Sequence, residues 1–255
     1  MIYGLYLSAQ GAETQAARLD VLSNNLANAS TGAFKRDLAL FQAHQPFDVE
    51  QGRADALPDG CHLLSGGVSL AGTVTDFSNG PLTPTGGAYD VALAGPGFLV
   101  VGDGPQNLLT RNGRFTVDDR GMLVTHDTGL PVKNADGLPI EIPLEAQAIE
   151  ISDTGRIFQV VDGIKAEIDQ LAVVEPETLA GLQKVGNSFY VSDVPVHAAG
   201  PNVRVLQGHL EGSGPNSITA MLNLIEAGRG FETNVNMVRS QDEALGRLLQ
   251  SVGRR

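Results

Sequence analysis

Hydrophobic and polar positions follow two different periods along this chain, and the change of period divides it. At both ends the period is seven. Leu5, Ala12, Leu19 and Leu26 repeat on one stride, with Ala9, Ala16 and Leu22 beside them. Gln10, Glu13, Arg18 and Asp20 lie outside that seam. The spacing predicts an amphipathic helix over 4–28. Asn28-Ala29-Ser30-Thr31-Gly32 ends it with weak helix formers and a glycine. Near the other terminus Leu224, Phe231, Val238, Leu245 and Val252 share the same stride. Met221, Val235 and Leu249 take the partner positions, where Gly228 and Asp242 are the exceptions. A second helix is predicted over 217–252, capped by Asn216 or Ser217. At about 1.5 Å per residue it spans roughly 54 Å, well beyond a usual globular helix. A seam this narrow suits pairing with another helix better than covering a β core.

Between the ends the runs are short and β-prone. Residues 33–84 are punctuated by Pro46, Gly52, Pro58, Gly60, Gly66 and Gly67, which predicts an extended connector with a few strands. Over 85–210 strands are predicted at 90–94, 98–101, 108–110, 114–117, 122–125, 130–132, 149–152, 156–161, 168–174, 188–192 and 203–210. Asn112-Gly113, Asp118-Asp119-Arg120-Gly121 and Asp127-Thr128-Gly129 break them, and Asn-Gly is a strong hairpin signal. The expected fold class is α+β. N- and C-terminal heptad helices form a coiled-coil-like pair, and the central all-β domain is an irregular sandwich or barrel. The expected division is a helix over 1–32, a connector over 33–84, a β-rich domain over 85–210, and a helix over 211–255 that packs with 1–32.

Composition narrows the function. The 255 residues carry a net charge of −12, with no basic stripe to offset it. Nucleic acid and anionic membrane surfaces are thereby disfavoured. Aromatics are only 5% and Trp is absent, so a stacking platform for bases or sugars is poorly supplied. No apolar run reaches membrane-spanning length. The first basic residue is Arg18, so a cleaved secretory signal is not expected. Cys61, the single cysteine, reads as an incidental thiol.

No constellation for catalysis emerges. His44, His62, His126, His197 and His209 are not at metal-ligand spacings. Strands, not a helix, follow Gly95-Pro96-Gly97 and Gly102-Asp103-Gly104, so neither is a phosphate cradle. No nucleophile elbow occurs. The chain is therefore expected to need no cofactor or metal and to be a self-assembling structural protein. The rival reading is a secreted β-rich carbohydrate-binding or carbohydrate-active protein.

Four segments carry a resemblance. Residues 19–36, LDVLSNNLANASTGAFKR, resemble the N-terminal signature of the bacterial flagellar rod and hook family. Residues 75–101, TDFSNGPLTPTGGAYDVALAGPGFLVV, resemble its entry into the β domain, and 109–132, LTRNGRFTVDDRGMLVTHDTGLPV, the strands that follow. Leu210-Glu211-Gly212-Ser213, then Asn216, Met221, Ile225, Arg229, Phe231 and Glu232, match its C-terminal helix. The resemblance implies a rod subunit of the basal body, exported by the flagellar type III apparatus without a cleaved signal. It implies a homo-oligomer that also meets other rod and hook subunits and surrounding ring proteins, spanning the periplasm without membrane insertion. The terminal helices would form the inner wall of the axis. The implied assembly residues are Leu5, Ala12, Leu19, Leu22, Asn24, Asn25, Leu26, Asn28, Met221, Leu224, Ile225, Phe231, Val235, Val238, Leu245 and Leu249. The segment 203–212 leans toward the proximal over the distal rod type. Two departures stand out. The family has Thr, one residue, then Gly-Phe, whereas here Thr31-Gly32-Ala33-Phe34 sets the glycine one place early. The family also has Ser-Asn-Val-Asn where Ser213-Gly214-Pro215-Asn216 stands.

Overall fold

Two compact units make up the computed structural model, which describes residues 2–45, 65–104, 107–143, 148–161 and 164–252. One unit gathers Met1–Ala27, Arg36–Asp76 and Pro215–Arg255; the other gathers Asn28–Lys35 and Phe77–Gly214. Cys61 and His62 lie outside the described residues, as does 46–64 of the expected connector.

The first unit is two helices and a hairpin. Helix α1 is Ile2–Ala27 and helix α2 is Ser217–Val252, as the seven-residue stride predicts. The Asn216 side chain caps α2, its Oδ1 accepting the Ile218 N–H at 2.9 Å. Pro215 just ahead is buried, at a place where no helical N–H is needed. The helices run antiparallel, because Gly4 lies against Gln241, Gly11 against Asn234, and Gln15 against Gly230. Strands β1 (Asp37–His44) and β2 (Gly67–Thr75) pair antiparallel, and both pack on α1. Their alignment along α1 is fixed at several points. Asn25 bonds Asp37 through both its amide atoms, and Thr14 donates to the Val68 carbonyl at 3.1 Å. Tyr3 donates to the Ser65 carbonyl. A Cβ on Gly67 would fall 1.5 Å from Gln10 Oε1, and the φ of 103° lies in the left-handed region that favours glycine.

The second unit is β throughout its core. Its largest sheet is antiparallel in the order β13 (Leu182–Gly186), β14 (Phe189–Ser192), β6 (Leu108–Thr110), β5 (Phe98–Val101), β12 (Val173–Pro176), β15 (Val196–Ala198). A three-stranded sheet of 148–151, 156–161 and 164–170 and three two-stranded ladders complete it. Both faces of β5 are buried. Leu99 and Val101 point into a large aliphatic cluster with Val91, Leu123, Val132, Ile140 and Ile157. Phe98 and Val100 point the other way, toward Leu109 and Tyr190. That alternation follows from the two-residue period of a strand. Phe77, Phe98 and Tyr190 meet edge to face at 5.3–5.8 Å.

Two predicted strands differ. The run 168–174 divides at Leu171-Ala172, where the chain leaves one sheet for another. The run 203–210 divides at Gly208, whose φ of 71° breaks the extended backbone.

Candidate assembly surface

The helix pair is built on small and polar contacts. A methyl added at Gly11 would sit 2.9 Å from Asn234 Oδ1, and one at Gly230 3.3 Å from Gln15 Cδ. The absent Cβ at each glycine leaves room for the Asn234 and Gln15 side chains. Gln15 Oε1 and Gln241 Oε1 are buried without a hydrogen-bond partner among the described residues. Among the described residues of the two helices, the buried apolar side chains are Ala220 and Ala227, at 6% and 1% exposure. Apart from Pro215, every larger buried apolar side chain among the described residues belongs to the β unit. The helix pair therefore has little hydrophobic core of its own.

The expected assembly residues divide by environment. Leu5, Ala12, Leu19, Leu22 and Leu26 are half-buried along α1. Leu224, Phe231, Val235, Val238 and Leu245 are half-buried along α2. Met221, Ile225 and Leu249 are exposed, and so is Asn24. Asn25 is buried and engaged by β1. Asn28 sits in the turn after α1, its carbonyl accepting from Thr31 N–H and Ser213 Oγ at 3.0 Å each.

Sequence reasoning missed several exposed apolar residues of the same unit. Ile218 and Leu222 stand beside Met221 and Ile225 at i, i+3, i+4, i+7 spacing on α2. The hairpin exposes Leu38, Leu40, Phe41, Val68, Leu70 and Val74. The signal was present in the apolar content of 37–44 and 67–75, but the glycines and prolines between them masked it. A groove of about 420 Å³ opens between α1, the start of β1 and the first turns of α2, lined by Val21, Leu22, Leu38 and Phe41 with Arg18 and Arg36.

The ends of the β unit are held by a buried charged cluster. Lys35 Nζ lies 2.6 Å from Glu211 Oε1 and donates to the Ser78 carbonyl at 2.7 Å. Gly80 N–H donates to the same carboxylate oxygen at 2.7 Å. Arg111 approaches the other oxygen at 3.6 Å, bonds Asn79 and the Gly95 carbonyl, and stacks over Phe98. Burial pushes the Arg111 guanidinium below its usual pKa, against the pull of Glu211. Beside this cluster Ala33 adopts a φ of 53°, the left-handed region, and Gly32 does not. The strain that a family glycine would relieve thus falls on an alanine.

Among the described residues no group of acids, histidines or cysteines could hold a metal, and no helix is long and apolar enough to cross a membrane.

Comparison with known proteins matches these regions in chain order. Residues 5–35 fit the family model for flagella basal body rod proteins, and 92–159 the flagellar hook protein FlgE/F/G D1 domain. Residues 206–251 fit the flagellar basal body rod FlgEFG C-terminal model. The flagellar basal-body rod protein FlgG of Buchnera aphidicola subsp. Schizaphis graminum is 32% identical, covering 98% of this chain and 100% of its own. FlgG of Bacillus subtilis is 30% identical over 98% of each chain. The flagellar basal-body rod protein FlgF of Caulobacter vibrioides is 29% identical, over 96% of this chain and 98% of its own.

Proposed function

Because the chain belongs to the flagellar basal-body rod protein family, we propose that it polymerises through its helical unit into the axial rod. It is a structural protein of the flagellar basal body, not an enzyme, and it meets other rod and hook subunits there. The carbohydrate reading finds no support among these relatives.

The finer reading is ours. The helices act as a coiled-coil-like pair lining the axis, with the β unit as the outer domain. The chain leaves the cytoplasm through the type III export apparatus without losing a signal peptide. Once outside, it self-assembles across the periplasm within the surrounding ring proteins. Val203–Gly212 favours the proximal rod type over the distal. The assembly residues are Leu5, Ala12, Leu19, Leu22, Leu26, Met221, Leu224, Ile225, Phe231, Val235, Val238, Leu245 and Leu249, with Asn24, Asn25 and Asn28 shaping the end of α1.

One observation carries this reading. The helical unit leaves Ile218, Met221, Leu222 and Ile225 exposed, while among its described residues it buries no apolar side chain larger than alanine except Pro215. Apolar patches of that kind mark surfaces that a partner covers. The Ile225→Asp variant tests it. It should be expressed and folded, with an unchanged circular dichroism spectrum, yet be absent from isolated rods and leave cells non-motile. Normal swimming with this variant would overturn the reading.

A further inference from the structure

We infer that the apolar stripe on the first turns of α2 in one copy enters the groove between α1, β1 and α2 of the next. This rests on the proposed function, because it specifies how the polymerising surface is divided between neighbours.

The stripe is Ile218, Met221, Leu222 and Ile225, exposed by 71%, 53%, 62% and 48%. At 3.6 residues per turn these four share one side of α2. The groove's α2 wall is Asn216, Thr219, Ala220 and Asn223, which lie on another side of the same turns. One short stretch of helix therefore carries a ridge on one side and borders a hollow on the other. Two copies that met ridge to hollow would each leave a free ridge or a free hollow at the outer end. Such a heterologous contact propagates into a ring or an open helix, whereas a ridge-to-ridge contact would stop at a dimer.

Charge is complementary in the first arrangement. The groove's rim carries two cations and one acid, Arg18, Arg36 and Asp37. The stripe is flanked by two acids and one cation, Glu226, Arg229 and Glu232. Arg36 is held by Asp76 at 2.8 Å. Arg18, Glu226 and Glu232 have no ion-pair partner among the described residues. Ridge into hollow brings Glu226 and Glu232 toward Arg18. The groove's apolar lining, Val21, Leu22, Leu38 and Phe41, matches the aliphatic character of the stripe.

Cross-linking in assembled rods tests the contact. With Cys61→Ser as background, Leu38→Cys and Leu222→Cys are introduced together at two exposed positions, and swimming is checked before oxidation. Ala39→Cys with Met221→Cys serves as a second pair. Oxidised basal bodies, run without reductant, should give a ladder of multiples of this one chain that collapses on reduction. Each single cysteine variant should give no species beyond a dimer. Dimers alone from the paired variants would overturn the inference, as would an internally bridged monomer or a band containing a different subunit. Rods that contain the chain but show no cross-link would overturn the contact and leave the proposed function standing. Basal bodies that never contain the chain would overturn both.

Discussion

Leu99 and Leu222 are the same side chain in two settings, 0% and 62% exposed. Leu99 sits on a strand whose two faces are both covered, inside a cluster that the β unit completes by itself. Leu222 sits on a helix where, among the described residues, the buried apolar side chains are two alanines. The β unit is therefore finished as a fold. The helical unit is regular in its backbone and unfinished in its burial, and its missing contacts are those a neighbour can supply. Helix geometry comes from local spacing, while stability comes from apolar area removed from water.

Substitutions can sharpen this contrast or break it. The largest expected loss is Glu211→Ala, which strands Lys35 and Arg111 as buried cations. Removing one partner of a buried ion pair costs about 3–5 kcal/mol, and calorimetry of the β unit's transition should register it. Next comes Leu99→Ala, with a loss on the order of 2–5 kcal/mol for a buried leucine. Leu222→Ala should change monomer stability by less than ~0.5 kcal/mol while reducing incorporation into rods. Equal stability losses at these two leucines would dissolve the contrast. Hydrogen exchange on the monomer provides a third measure. Amides of α1 and α2 should exchange through openings of lower free energy than those of β5 and β6. The smallest effect is a gain. Ala33→Gly removes left-handed strain of about 1–2 kcal/mol against a glycine entropy cost of about 0.5–1 kcal/mol. The net expectation is a stabilisation of roughly 0.5 kcal/mol, read as a raised melting temperature.

The sequence revealed much of this fold, and the exceptions have physical causes. Both helices were legible because their stride runs uninterrupted and Asn216 supplies a cap. Strands β5, β6 and 156–161 were legible because dense apolar runs end in turn residues. The break at Leu171-Ala172 was hidden because no turn residue marks it. The hairpin of β1 and β2 was blurred into a connector because its partners lie far apart in sequence. The closest contacts between the helices were hidden for another reason. Leucine periodicity draws the eye to Leu5, Leu19 and Leu26, yet α1 and α2 meet through Gly4, Gly11 and Gly230. Small residues permit close approach but leave no hydrophobic signal. The charged cluster was unreadable as well, since Lys35, Arg111 and Glu211 are brought together only by the fold.

That cluster also has a mechanical meaning. The chain passes between the units at four places, after Ala27, Lys35, Asp76 and Gly214. Lys35 is tied to Ser78 and Glu211, Gly80 is tied to Glu211, and Gly214 N–H donates to the Phe34 carbonyl at 2.9 Å. Tension arriving along any one of these segments is shared by the others before it reaches a sheet. Such a knot turns separate ends of the β unit into a single attachment, and a pull on them would be resisted in shear rather than by peeling one strand at a time.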